Sequence, residues 1–260
     1  MKNSAQANTA MLRSASRLPP HPPLSWHYPV PAVRQRFVTQ LFDETAPAYD
    51  RVIALLSAGS GGWYRRDALR RAGLEPGMRV LDVATGTGAV SRPAADLTGA
   101  HGRVMGLDPS AGMLSVNRLK ASATLLRGRA ERIPLRDGSV DFLCMGYALR
   151  HMEDLAVAFA EFRRVLRPGG RLALLDFCRP RSRAGWILAR IGLQGLFPLI
   201  AGLAAGRSQV IRLMRYCWDT IATCVTPETI VASLASAGFQ TPRVTRWFGV
   251  LIEYVTVRID

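Results

Sequence analysis

Asp82 and Asp108 each close a short apolar run, and the first is followed at once by a turn built on Gly86 and Gly88. Carboxylates so placed accept hydrogen bonds from sugar hydroxyls, and glycines let the backbone turn tightly enough for a ligand to lie against it. Val80, Leu81 and Val83 suit a buried parallel strand ending at Asp82, and Val104-Met105-Gly106-Leu107 repeat the pattern before Asp108, one βαβ unit later. A helix from Ala89 to Leu97 is expected to follow the turn. No Gly-Lys-Ser/Thr comes after the glycines, so the turn is not a phosphate loop.

Two ligand classes suit this pair of strand ends: a nicotinamide or flavin dinucleotide, and the adenosyl group bound by class I methyltransferases. The dinucleotide fingerprint wants a third glycine where Ser91 falls. S-adenosylmethionine has no pyrophosphate and makes no such demand. The elements that must position the two carboxylates continue downstream. Asp137-Gly138-Ser139-Val140-Asp141-Phe142 opens a fourth strand, Asp154 to Leu166 reads as an amphipathic helix, and Arg167-Pro168-Gly169-Gly170 turns into a strand from Arg171 to Phe177. This β/α alternation over residues 78–257 argues for one domain with an N-terminal appendage.

From about Phe37 to Val257 the chain resembles the ubiquinone/menaquinone biosynthesis C-methyltransferase family. The matching words are Phe42-Asp43-x-x-Ala46-x-x-Tyr49-Asp50, Val80-Leu81-Asp82-x-Ala84-x-Gly86-Thr87-Gly88, Ala130-Glu131-x-Ile133-Pro134-Leu135, Leu149-Arg150, Arg164 to Leu172 and Ala237-Gly238-Phe239. The resemblance implies an α/β fold of the class I methyltransferase, Rossmann-like kind: a doubly wound seven-stranded sheet with an N-terminal helical cap. It implies S-adenosyl-L-methionine as cofactor, no metal, and methyl transfer to a ring carbon of a hydrophobic, prenylated quinol. The expected organisation is a disordered basic, Pro-rich leader over 1–36 and a methyltransferase domain over 37–260. Within that domain the cap spans 37–75 and a basic apolar substrate lid spans 180–218.

In that frame Asp82, Ala84, Gly86 and Gly88 form the turn for the methionine moiety. Asp108 holds the ribose, with Pro109 and Met113 beside the adenine and Ala130 and Glu131 on its other side. Tyr49 closes over the methionine end. Arg129 departs from the pattern, because relatives carry Asp or Asn there and a guanidinium offers the adenine amino group no acceptor. Ile53 and Gly61 stand where the family has Asn and His. C-methylation needs a ring hydroxyl deprotonated and, later, the ring proton removed, so a base is wanted near the sulfonium. Arg150 and His151 are the catalytic candidates: Arg150 to hold a phenolate or a water, His151 as base with an ordinary pKa of about 6.5. Tyr147 and Tyr216 are candidates for the substrate side, with Asp176 a lesser one.

The formal net charge is +15, and lysine occurs only at positions 2 and 120. Between Asp176 and Asp219 there is no carboxylate, while Arg179, Arg181, Arg183, Arg190, Arg207, Arg212 and Arg215 alternate with Trp186-Ile187-Leu188 and Leu196-Phe197-Pro198-Leu199-Ile200. Aliphatic neighbours argue against nucleic acid and for an anionic membrane surface or a greasy substrate. Arg190, Gln194 and Pro198 break up any membrane span. No Asp or Glu precedes Asp43, the composition of a mitochondrial transit peptide, although a bacterial leader and a cytoplasmic protein peripheral to the inner membrane explain it too. Cys144, Cys178, Cys217 and Cys224 lack metal-ligand spacing and read as small core residues. Two rival functions stay open: an O- or N-methyltransferase of a lipid or aromatic metabolite, and a catalytically silent membrane-associated accessory protein. The sequence leaves the oligomeric state open.

Overall fold

Strand β1 (Arg79–Val83) is buried at every position after the first, Asp82 included, as a central strand covered on both faces requires. The computed structural model describes residues 17–56, 59–119, 123–196 and 208–260. Among these, seven strands form one sheet in the order β3-β2-β1-β4-β5-β7-β6. The others are β2 (Arg103–Asp108), β3 (Thr124–Arg127), β4 (Val140–Gly146), β5 (Leu166–Phe177), β6 (Arg243–Trp247) and β7 (Leu251–Val257). Strands β1 to β5 pair in parallel, and β7 runs antiparallel to both β5 and β6. The order reverses between β1 and β4, so a crevice opens past their carboxyl ends. Both sides of it carry left-handed backbone on a residue with a side chain: Ala84 at φ 57° and Tyr147 at φ 62°. Such positions are costly and persist where the surroundings hold them.

The segments expected from sequence appear with shifted ends. The helix after the glycine turn runs Ser91–Thr98. The helix expected from Asp154 runs Leu155–Val165, with Asp154 as its cap, accepting from the Ala156 N–H at 2.9 Å. Strand β5 starts earlier than Arg171 because Arg167–Gly170 survives as a bulge rather than a full break: Val140 pairs with Leu166 and Phe142 with Arg171, and Gly169 takes φ 70°.

Above the carboxyl edge of the sheet sits a second apolar cluster. Helix α1 (Arg34–Leu56) packs there on helix α2 of the lid side (Ser208–Thr223), with Val38, Leu41, Val52, Val210 and Leu213 buried between them. Leu24 and Tyr28 belong to the same cluster, which corrects the expected disordered leader. From Arg17 onward the chain is a strap on the domain. Prolines forbid a helix but also reduce the entropy lost on laying an extended segment down. The strap is tied by Leu155 N–H to Leu18 O (2.9 Å), Val225 N–H to Pro20 O (2.8 Å) and His27 to Asp219 (2.7 Å). The leader expectation for 1–16 lies outside the described residues. Of the expected lid, Arg183–Arg190 is helical and 197–207, including Phe197 to Ile200 and Leu203, lies outside the described residues.

Candidate functional site

The glycine turn is held from three sides. Below it, Asp82 is fully buried and accepts from Ser91 Oγ; burial pushes its carboxyl up to about 6. Beside it, Asn117 donates to Gly86 O (2.8 Å) and lies 3.0 Å from where a Cβ on Gly88 (φ 87°) would stand. Above it, Thr87 donates to Asp50 Oδ1 of α1 (2.5 Å), and Arg118 pairs with Asp50 Oδ2 (3.0 Å). Asp108 completes the arrangement by accepting from Gly86 N–H and Ser110 N–H, both at 2.8 Å. Burial raises Asp108 to about 6 although these N–H groups favour its charged form.

Between the turn and α1 lies an open cleft of about 730 Å³. Ala84, Gly86, Asp108, Pro109 and Met113 line one side, and Ala130, Glu131, Tyr147 and His151 face it, with Tyr49 on the roof. The chemistry suits S-adenosylmethionine. Each Asp108 oxygen keeps a lone pair for a ribose hydroxyl, Leu107, Pro109, Met113 and Ala130 make a flat apolar slot, and a Cβ at Gly86 would meet no protein atom within 4 Å. Arg129 also lines the cleft, with its guanidinium paired to Glu131 (3.3 Å) and Glu153. Asp82 and Gly88 stand behind the turn and support it.

Arg150, His151 and Tyr147 meet at a second cavity, which shares Phe42, Tyr49, Tyr147 and His151 with the first. Its open volume is about 1590 Å³, and Trp63, Tyr64, Phe177, Leu213, Trp247 and Phe248 contribute most of its apolar wall. Arg150 is 4% exposed, and most of its donors are engaged: Nε on Asp176 (2.9 Å), one terminal nitrogen on Thr220 Oγ1 (2.8 Å), the other on Tyr147 O (3.3 Å). His151 is stacked on Tyr216 and edge-on to Phe42, with centroids 5.4 and 5.2 Å away. Burial, then the Arg150 charge, hold its pKa well below the ordinary value, and its Nδ1 has no partner. Tyr216 is fully buried behind His151 and opens onto neither cavity.

The profile of the ubiE/COQ5 methyltransferase family matches residues 31–254. The chain belongs to that family. It is 34% identical over 221 residues to the demethylmenaquinone methyltransferase of Thermus thermophilus, covering 83% of this chain and 98% of that one. The demethylmenaquinone methyltransferase of Symbiobacterium thermophilum is 32% identical over 224 residues, 81% of this chain and 88% of its own. The fold is shared with a S-adenosylmethionine-dependent methyltransferase from Thermotoga maritima at a TM-score of 0.60 and 19% identity, covering 84% and 98% of the two chains. This ubiE/COQ5 chain is accordingly a S-adenosylmethionine-dependent methyltransferase.

Sequence reading missed three contributors to this family's site as built here. Asn117 supports the glycine turn, Asp43 accepts from Ser110 Oγ (2.6 Å) and Gly112 N–H (2.7 Å) to seat α1 on the β2 turn, and Arg65 lines the second cavity. Asp43 alone had a signal, its place in the Phe42 to Asp50 word.

Proposed function

We propose that this enzyme methylates a ring carbon of a hydrophobic, prenylated quinol, in ubiquinone or menaquinone biosynthesis. The observation that carries the reading is the joining of the two cavities at Tyr147 and His151: a polar-floored adenosyl cleft opens there into a larger aromatic and aliphatic chamber. Bound S-adenosylmethionine supplies an electrophilic methyl on a good leaving group. The chain's residues supply position. Asp108 and Gly86 fix the cofactor end, Tyr49 and Phe42 close the roof, and the aromatic wall holds the acceptor so that the face of its ring carbon meets the methyl at the junction. His151 borders the point of transfer but is held neutral and accepts a proton poorly. Arg150, paired with Asp176, positions the Tyr147 carbonyl and the floor of the chamber.

The chamber mouth is greasy: Trp63 is 73% and Phe248 87% exposed, and Leu188 lies beside Phe248. Arg179, Arg181, Arg183 and Arg190 surround that rim in sequence. This combination fits peripheral docking on an anionic membrane, from which an insoluble quinol would enter. No helix among the described residues is long and apolar enough to cross a membrane. A second reading, O- or N-methylation of a lipid or aromatic metabolite, draws on Ile53 and Gly61, which put apolar surface where the family has polar groups on this wall.

The test is transfer of a labelled methyl from S-adenosylmethionine to a short-tailed demethylquinol kept reduced, with the product solved by NMR. A new carbon-bound methyl on the ring supports the proposal. A methyl ether, or no transfer to any quinol, overturns it.

A further inference from the structure

Arg65 is a buried cation without an anion. It lies on the helix Gly61–Arg71, is 8% exposed, and no carboxylate among the described residues pairs with it. Its Nε is buried and makes no hydrogen bond. Asp67, in the lining of the same cavity, and the buried Glu253 are already committed, for both pair with Arg71. The other buried guanidinium of the chamber, Arg150, is matched by Asp176. Unpaired buried charge is expensive and marks a place where a partner is missing.

Two further groups point to the same place. The Trp247 indole N–H is buried without a hydrogen-bond partner, and Trp247 lines the second cavity with Arg65. Tyr147 also lines it, next to Arg65, with its ring aimed by the left-handed backbone at the end of β4. Two donors and a cation thus share the lining of an apolar chamber, beside the junction with the adenosyl cleft.

We propose that Arg65, with the Tyr147 hydroxyl, holds the ring oxygen of the acceptor as it ionises, and so sets which ring carbon is activated; this rests on the quinol reading above. The balance is simple. The ring hydroxyl loses its proton to solvent water, and the ring carbon forms the new bond to the methyl as the methyl–sulfur bond breaks with its pair left on sulfur. The ring C–H proton then leaves as the oxygen regains one, so a single proton is released overall. Arg65 shares the cavity lining with Tyr64, Tyr147, Arg150, His151, Asp67 and Arg71, and Arg71 pairs with Asp67 and Glu253. None of them is an unpaired anion competing for the guanidinium.

The experiment compares Arg65→Met and Arg65→Lys with the parent in four readouts: melting temperature, S-adenosylmethionine affinity, kcat and KM for the demethylquinol, and ionisation of a bound chromogenic nitrophenol. Arg65→Met removes an unpaired buried charge, so it should melt no lower than the parent and bind cofactor equally. Its kcat should fall about 10²-fold or more, as when one donor to a developing oxyanion is lost, and the parent's promotion of nitrophenol ionisation should disappear. Arg65→Lys should recover part of both. Parent-like kcat and nitrophenol ionisation in Arg65→Met would overturn the assignment, as would a lower melting temperature with unchanged kcat. If the parent ionises nitrophenol through Arg65 yet methylates no quinol, the anion site stands and the quinol reading falls.

Discussion

Asp176 Oδ1 accepts a hydrogen bond from Arg150 Nε at 2.9 Å, and both side chains are almost wholly removed from water. The pair joins the end of β5 to the turn after β4 and holds the floor of the acceptor chamber. Removing one partner leaves a buried charge unmatched, which costs about 3–5 kcal/mol. Asp176→Asn should therefore lower the melting temperature by on the order of 10 °C for a domain of this size. Thermal unfolding followed by circular dichroism checks it; an unchanged transition would show that the pair contributes little.

Asp108 should govern cofactor affinity. Two charge-assisted hydrogen bonds to ribose hydroxyls are each worth roughly 1.5–3 kcal/mol, so Asp108→Ala should weaken S-adenosylmethionine binding at least about tenfold in a folded protein. The pH dependence follows from its carboxyl being raised to about 6. Hydroxyl donors favour the ionised form, so affinity should decline as pH falls through about 6, and binding near that pH should release a proton. Calorimetry in buffers of different ionisation heat measures both, and dependence remaining in Asp108→Ala would report Asp82.

The two glycines of the turn should separate. Gly88→Ala meets Asn117 and a positive φ, whereas Gly86→Ala meets only the positive φ and the space of the cleft. Left-handed backbone costs an alanine about 1–2 kcal/mol. Gly86→Ala should thus fold with a modest loss of stability and lose most cofactor affinity; Gly88→Ala should lose more stability. Equal cofactor affinity in Gly86→Ala and the parent would remove the turn from the binding surface.

Much of this site could be read in the chain because its parts are local. Asp82, Gly86 and Asp108 declare themselves by closing apolar runs within one βαβ unit, and the cleft forms where those runs end. What was hidden depends on partners far along the chain. Arg150 reads as free to meet substrate until Asp176 and Thr220 are seen around it, and Tyr216 faces His151 only because α2 folds back over α1. Arg65 carries no local signal in a chain rich in arginine. Proline content made Arg17 to Val30 look unstructured, although Leu24 and Tyr28 carry enough apolar surface to anchor it.

His151 should matter more to packing than to proton transfer. With its imidazole held neutral, rates should show no step near pH 6.5, and His151→Asn should change kcat less than about tenfold, below the 10²–10⁴ expected of a general base. The sign for stability is separate. His21, lowered to about 4, and His151 both bind protons more readily in the unfolded chain. Their contributions are intact above about 6.5 and fade as pH falls toward the folded values. Asp82 and Asp108 act oppositely, taking up protons in the folded state below about 6. Urea unfolding of His21→Asn and His151→Asn at pH 5 and pH 7.5 should show smaller acid losses than the parent.

The central claim is carbon methylation of a quinol, and the mass of the cellular quinone pool tests it most directly. In a strain lacking this protein, the quinone should accumulate one methyl group lighter, with the ring otherwise intact, and the parent gene should restore the full mass where Asp108→Ala does not. An unaltered quinone mass in that strain, with no other methyltransferase of this family present, would contradict the account.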